Sequence, residues 1–258
     1  MNLQMNISLA ERYSSPTQIA KALTENWILE QSYCPSCLNE LTQAKSNSKV
    51  LDFTCEHCKY EFELKSKKGN FGQKITDGAY DTMIERLAQS NSPHFFFLSY
   101  STQFKVENLT VVPSYFMQSS CIEKRKPLSP NARRAGWVGC NILAQQIPEV
   151  GRIVLIKNSR INDREQVRLR WLQTNFLALA EASESRGWII DILNCIERLD
   201  SRNFSLDQIY QFEAELAQKH PRNSHVKDKI RQQLQALRDK GLLEFISRGK
   251  YRLVKDAS

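Results

Sequence analysis

Two cysteine pairs constrain this chain more than any other feature. Cys34-Pro35-Ser36-Cys37 is followed, after 17 residues, by Cys55-Glu56-His57-Cys58. C-x2-C-x17-C-x2-C lies within the spacing range of a structural zinc site. Each C-x2-C turn can point two thiolates at one ion, and two such turns complete a tetrahedron of sulfur ligands. A closed four-thiolate shell has no open position for substrate, so the expected role is structural. The competing reading is disulfides or unrelated free thiols; a reducing compartment argues against disulfides. His57, inside the second turn, is expected to be a bystander. Cys121, Cys140 and Cys195 show no such spacing and read as small buried apolar residues.

The segments around the cysteines show a mixed α/β order. Ser15-Pro16-Thr17-Gln18 reads as a helix start, with Ser15 capping, Pro16 at the first helical position and Gln18 reaching back. Ile19, Leu23 and Trp27 then recur every four residues, and the helix runs into the first cysteine turn. Val50-Leu51-Asp52-Phe53 reads as a short strand. Tyr60 to Lys65 alternates apolar and charged residues, the period of a half-buried strand. The second cysteine turn joins these two, so the expectation is a hairpin with the zinc knuckle at its tip. Ala79 to Gln89 carries Tyr80, Met83, Ile84 and Leu87 on one helical face. His94 to Tyr100, Leu109 to Val112 and Arg152 to Ile156 read as further strands.

Past residue 180 the pattern changes. Ser183 to Gly187 is small, polar and charged, which suits a linker. A first helix is marked by Trp188, Ile189, Ile192, Leu193, Ile196 and Leu199. Ser205-Leu206-Asp207-Gln208 is a capping box opening a second helix that carries Leu206, Ile209, Tyr210, Glu213 and Leu216. Val226, Ile230, Leu234 and Leu237 mark a third, stopped by Gly241 in a left-handed cap. Leu242 to Ile246 and Lys250 to Val254 form a hairpin turned at Arg248-Gly249. Three helices and a hairpin make a winged helix-turn-helix. The expected division is therefore 1–182 and 183–258.

Charge bears on the partner. The chain of 258 residues has 36 Lys and Arg against 28 Asp and Glu, a net +8, which favours an anionic partner and nucleic acid first. Within the tail the charge is sorted by element. Residues 183–221 hold 4 basic and 7 acidic side chains, whereas 222–258 hold 10 basic and 4 acidic. The positive half is the third helix and the wing, the parts of such a fold that meet a duplex; a solvated charged face is the bland alternative. With 41% hydrophobic and 25% charged residues the composition is globular. No apolar run approaches the ~20 residues of a membrane helix. Met1 to Ala10 lacks a basic stretch followed by an apolar one, so the chain reads as cytosolic.

Chemistry is carried by Asp52 on the first hairpin strand and Glu63-Leu64-Lys65 on the second. An acid followed by acid-x-Lys is the pattern of a metal-dependent phosphodiesterase site. Glu63 and Lys65 are two apart on a strand and share one face, and the hairpin can bring Asp52 beside them. Two carboxylates can hold a hard divalent cation, Mg²⁺ first, through oxygen, and Lys65 can offset charge building on the phosphorane. D-x10-E-x-K also occurs by chance on charged strand faces. The strand period, the zinc-closed hairpin and the basic run Lys65-Ser66-Lys67-Lys68 favour the functional reading.

At these residues the sequence resembles the methyl-directed restriction endonucleases of the PD-(D/E)xK superfamily. The resemblance is carried by Ser32-Tyr33-Cys34-Pro35, by Glu61 to Phe71, by Asp77-Gly78-Ala79-Tyr80, by Arg125-Lys126-Pro127-Leu128 and by Ala132 to Trp137. Ser185-Arg186-Gly187-Trp188 and Lys229 to Leu234 extend it through the tail. It implies an α/β restriction-endonuclease-like domain with a zinc-binding element, followed by a C-terminal winged helix that binds the same target. The implied substrate is double-stranded DNA bearing GATC with adenines methylated at the exocyclic amine, in the bacterial cytoplasm. Asp52, Glu63 and Lys65 fall on the catalytic motif, with Asp52, Glu63 and the main chain of Leu64 as Mg²⁺ ligands. Cys34, Cys37, Cys55 and Cys58 fall on the zinc ligands. Leu51 stands where the superfamily motif has its Pro, which ligates nothing.

A methyl on the adenine amine is an apolar bump in the major groove, so its reader needs an apolar surface flanked by hydrogen bonds. Trp137, with Arg133 and Arg134, is the candidate in the first domain; the alternative is a core Trp with surface arginines. In the second domain Asn223-Ser224-His225, at the start of the third helix, suit base edges or phosphates. Lys67, Lys68, Arg222, Lys227, Arg231, Arg248, Lys250 and Arg252 are expected to meet mainly phosphate. Having its own second DNA-binding module, the chain is expected to act as a monomer. The rival function is a non-catalytic DNA-binding regulator, a zinc module joined to a winged helix, for which Asp52, Glu63 and Lys65 would have no use.

Overall fold

The computed structural model describes residues 1–44, 51–89, 92–178 and 183–254. Two compact units emerge: Met1–Gln146 with Val150–Leu172, and Ile147–Glu149 with Gln173 onwards. No helix among the described residues is long and apolar enough to cross a membrane.

The first unit opens with α1 (Pro16–Gln31), which buries Leu23, Thr24, Trp27 and Ile28. Pro16 does occupy the first helical position, but Ser15 makes no side-chain capping hydrogen bond, so the expected cap is positional only. The first cysteine turn follows α1. Next come β1 (Thr42–Gln43), β2 (Phe53–Thr54), β3 (Glu61–Lys68), β4 (Lys74–Ala79), α2 (Tyr80–Ala88), β5 (His94–Tyr100) and β6 (Val106–Val112). The unit continues through β7 (Ile122–Lys124), β8 (Gly139–Leu143), β9 (Ile153–Lys157), β10 (Arg160–Ile161) and α3 (Arg164–Thr174). Of the expected strand at 50–53, Val50 lies outside the described residues. The regular strand begins at Phe53, but the Asp52 N–H still donates to the Phe62 carbonyl at 3.0 Å. Asp52 is therefore tied to β3 although it precedes β2.

Seven strands form one sheet in the order β1-β2-β3-β5-β6-β9-β10. β3 and β5 pair in parallel, Phe62 opposite His94 through Lys68 opposite Tyr100; the other pairs are antiparallel. A parallel pair needs a crossover, here supplied by β4 and α2. Every residue of β5 is buried, as its continuous apolar run demands. Phe62, Phe96 and Trp171 meet on the core side, with His94 wedged among them. Burial holds the His94 imidazole down to about 3, so it is neutral and accepts the Ser114 N–H at 2.9 Å.

A second, three-stranded sheet runs β4-β8-β7. The sequence pattern had not indicated these strands. β4 contains Asp77-Gly78, turn-like residues, yet Asp77 pairs with Cys140 and a register shift follows before Ala79. The structure accommodates them as an irregularity rather than a turn. α3 has no sequence signature, because a polar helix whose deeply buried residues are Val167, Trp171 and Thr174 has no full apolar stripe.

The second unit contains α4 (Ser183–Arg198), β11 (Asn203–Ser205), α5 (Leu206–Tyr210), α6 (Glu213–Lys219), α7 (Val226–Asp239), β12 (Leu243–Ser247) and β13 (Lys250–Leu253). The linker expected at 183–187 is instead the start of α4. Local composition read as a linker, but the helix continuing from Trp188 extends back through it. The capping box is present: Ser205 Oγ accepts the Gln208 N–H at 3.3 Å and Gln208 Oε1 accepts the Ser205 N–H at 2.8 Å. The second helix is split into α5 and α6, with Phe212 between them as the start of the second piece. Gly241 takes φ +72°, the left-handed cap after α7. β11 adds to the wing hairpin, giving a sheet ordered β11-β13-β12. Trp188, Ile192, Ile209, Leu216, Ile230, Leu234 and Leu237 form the core. This is a winged helix-turn-helix.

Candidate active site

The two cysteine turns adopt the same local structure. In each, the N–H four residues after the first Cys returns to that Cys carbonyl: Leu38 to Cys34 and Lys59 to Cys55, both at 2.8 Å. Leu38 and Lys59 both take φ +63°. The first Cys of each pair donates to a carbonyl five residues on, Asn39 or Tyr60. These turns aim four sulfur atoms at one point, all within 4.8 Å of one another. Cys34 and Cys58 Sγ are 3.5 Å apart, and Cys37 and Cys55 Sγ 3.4 Å. Thiolates about 2.3 Å from zinc in a tetrahedron lie about 3.8 Å apart, whereas a disulfide needs about 2.05 Å. The spacing suits a shared ion, and none of the seven cysteines is bridged. His57 is exposed and outside this group. Cys121, Cys140 and Cys195 are buried.

From the second cysteine turn the hairpin leads directly to the acid cluster. Asp52 Oδ2 accepts the Leu64 N–H at 2.7 Å, which fixes its carboxylate against β3. Glu63 Oε1 contacts the Lys65 ammonium from the next residue on the same face. Lys65 Nζ also contacts Asp77 Oδ1, delivered by β4. Asp52, Glu63, Leu64 and Lys65 line one cavity of ≈ 540 Å³, with Lys21 and Glu25 from α1 and Lys67 and Lys74 at its rim.

Electrostatics inside this cavity are strained. Burial pushes the Glu63 carboxyl up to about 7, with Asp77 and Asp52 adding to the shift and Lys65 opposing it. Burial, then the neighbouring Asp52 carboxylate, raises Glu25, while Lys21 draws it back. For Lys65, burial favours the neutral amine, but Glu63 and Asp77 outweigh it and hold the proton. Glu63 Oε2 and Asp77 Oδ2 are buried with no hydrogen-bond partner. Orphaned carboxylate oxygens are costly unless something cationic binds them. Oxygen donors of this kind suit a hard divalent cation.

The raised Glu63 has a testable consequence. A carboxyl whose folded value lies above its unfolded 4.5 adds stability below pH 4.5 that is lost as pH rises through 7. Glu63→Gln removes the buried charge, so this variant is expected to melt above the parent at pH 8 and to lose that advantage at pH 5. Thermal melts of metal-free protein at both pH values check the sign.

The remaining sequence candidates lie at surfaces. Lys67 and Lys68 are exposed at the end of β3. Trp137 is half-buried and not core: its ring packs on Gly139, and the Arg134 guanidinium lies 4.5 Å over it. Arg133 and Arg134 are exposed on the segment joining β7 to β8. In the winged helix, Asn223, Ser224 and His225 precede α7, and Asn223 Oδ1 accepts the His225 N–H at 2.8 Å. Arg222 pairs with Glu184, Lys227 with Glu213 and Arg252 with Glu244, all at the surface. Such pairs are worth little and readily exchange for phosphate. Arg231 Nε donates to Tyr210 Oη at 2.5 Å, so a phosphate would compete with that contact. Arg248 and Lys250 stand exposed on the wing.

Two acids at the site were missed. Asp77 belonged to a block carrying the family resemblance but had no assigned role. Glu25, four residues after Lys21 on α1, had no assigned role. Only the packing of α1 and β4 about β3 exposes either one.

Comparison with known families adds an independent line. Residues 1–180 match the DpnI model, described as the Dam-replacing family. Residues 184–253 match DpnI_C, the Dam-replacing HTH domain. The mixed α/β sheet, the four-cysteine cluster and the winged helix agree with those matches. The chain thus belongs to the DpnI (Dam-replacing) family of methyl-dependent restriction endonucleases, with a DNA-binding winged helix-turn-helix as its second domain.

Proposed function

We propose that this chain hydrolyses double-stranded DNA at GATC sites whose adenines carry a methyl on the exocyclic amine. The supporting observation is the convergence of Asp52, Glu63 and Lys65 on one cavity at the base of a cysteine-tipped hairpin. Residues 1–182 are the nuclease domain and 183–258 the winged helix, acting together as a cytoplasmic monomer. Zinc is held by Cys34, Cys37, Cys55 and Cys58.

Asp52, Glu63 and the Leu64 carbonyl would hold Mg²⁺. When bound, the ion polarises the scissile phosphate and lowers the pKa of the attacking water. The chain's own groups do the rest. The Leu64 N–H keeps the Asp52 carboxylate from rotating out of the cavity. Glu63 presents its unpartnered Oε2 as the second anionic oxygen. Lys65, held protonated, offsets negative charge developing on the phosphate.

Target reading is assigned to both domains. The half-exposed edge of Trp137 offers an apolar surface to a methyl group, and Arg133 and Arg134 beside it can hold guanine or phosphate. Asn223, Ser224 and His225 meet base edges as α7 enters the major groove. Lys67, Lys68, Arg222, Lys227, Arg231, Arg248, Lys250 and Arg252 contact phosphate, which positions the protein without reading sequence.

Digestion of the same plasmid with and without adenine methylation at GATC, in Mg²⁺, tests the reading. Cutting of the methylated plasmid alone is expected. Cutting of both plasmids alike would defeat methyl reading, and cutting of neither would favour a DNA-binding regulator.

A further inference from the structure

Of the two acids at this site that the reaction as drawn does not use, Glu25 and Asp77, Asp77 is the more deeply buried and the one that touches Lys65. Its side chain is only 7% exposed. Oδ1 receives both the Lys65 ammonium and the Gly78 N–H, the latter at 2.7 Å, while Oδ2 is buried with no partner. A buried carboxylate with an empty oxygen is expensive, so its retention against the ammonium of Lys65, which lines the reaction cavity, calls for a reason. It arrives from a different sheet: β3 supplies Glu63 and Lys65, whereas Asp77 lies on β4, opposite Cys140 of β8.

Two roles are open to such a group, and geometry separates them. As a cation ligand, Asp77 should form one donor cluster with Asp52 and Glu63. Among the described residues, however, the four cysteines alone bring three or more candidate ligand atoms within 4.8 Å of one another. Asp77 touches Lys65 instead. Lys65 ends a long flexible chain, and while Glu63 serves a cation through Oε2, its Oε1 leaves the ammonium a single contact on β3. A second acid on another strand supplies the second contact.

Resting on the nuclease reading above, we propose that Asp77 is a positioning residue. It holds the Lys65 ammonium from β4, so that Glu63 can turn its carboxylate to the cation without releasing the lysine into the cavity. The arrangement also makes Lys65 placement depend on the β4-β8-β7 sheet, whose β7–β8 connection carries Arg133, Arg134 and Trp137.

Asp77→Asn provides the test, since its amide oxygen can still accept the Gly78 N–H while the charge is lost. In single-turnover cleavage of methylated plasmid, the rate constant should fall roughly 10²-fold, the scale on which a misplaced catalytic group acts. Binding of methylated duplex in Ca²⁺ and the Mg²⁺ concentration for half-maximal rate should each stay within about twofold of the parent, as for a group that meets neither DNA nor metal. Placed on Lys65→Ala, the same change should cost less than about threefold, because the lysine it positions is gone. A parental rate would overturn the proposal. So would an equal loss in both backgrounds, which marks a merely structural residue, or a defect cured by excess Mg²⁺, which marks a ligand. Parent protein that fails to cut would instead defeat the nuclease reading itself, so the two failures are distinct.

Discussion

Replacing Asp52 by Ala or Asn, or Lys65 by Ala, is expected to lower cleavage of methylated DNA by roughly 10²- to 10³-fold, the usual cost of losing one preorganised charged group, while duplex binding persists. Asp52→Asn is the sharper variant. Its amide oxygen can still accept the Leu64 N–H, so the contact between Asp52 and β3 survives and the lost quantity is negative charge. Lys65→Ala leaves Glu63 and Asp77 facing each other without their shared cation, so its melting temperature should also be followed. The winged helix is a separate compact unit, and the proposed phosphate contacts of α7 and the wing are untouched by either change. Gel-shift affinity for methylated duplex should therefore remain within a few-fold. A variant that cuts at the parental rate would remove Asp52 or Lys65 from the chemistry; one that loses binding and cutting together would point to damage beyond the site.

Loss of the zinc ligands should have the largest effect on folding. Cys55→Ser or Cys34→Ser is expected to reduce bound zinc from one ion per chain to well below that and to collapse the yield of soluble protein. Structural zinc in small modules contributes about 10–16 kcal/mol at neutral pH, comparable with the whole stability of a domain, about 5–15 kcal/mol. Cys34 follows the end of α1 and Cys55 sits within the β2–β3 hairpin, so the ion joins segments whose direct hydrogen bonding is slight. β1 and β2 have two residues each, too few to hold a hairpin unaided. Metal analysis of purified protein and thermal melts with and without a chelator check this. A chelator-treated chain with zinc removed but an unchanged melting curve and full activity would show that the thiol cluster is dispensable.

The consequence for catalysis is spatial. Asp52 lies three residues before Cys55, and Glu63 five residues after Cys58. A fixed knuckle sets the register in which Asp52 faces Leu64, and a slip by one residue would send Glu63 and Lys65 to the opposite face of β3. An ion held by the four thiolates would thus be remote from the proposed phosphate chemistry, yet would determine whether the acids can meet.

Much of this was legible one segment at a time. The alternation from Tyr60 to Lys65 placed Glu63 and Lys65 on one face, and the unbroken run His94 to Tyr100 marked a strand, which the structure buries along its whole length. Ser205 with Gln208, and Gly241, punctuated the winged helix where the structure has a capping box and a left-handed cap. Local signals misled where they conflicted with a neighbour. Ser183 to Gly187 has linker composition, yet these residues belong to α4.

Sequence alone determined the ligand spacing of the zinc site, the strand period that aligns Glu63 with Lys65, and the segregation of positive charge onto α7 and the wing. Each is a property of residues close together in the chain, where bond geometry fixes direction. Only the tertiary structure decided that β3 pairs in parallel with β5, that α1 brings Glu25 toward Asp52, and that β4 brings Asp77 to Lys65. Those neighbours are joined by pairing and burial between segments far apart in sequence, and no local period records which distant strand or helix will arrive.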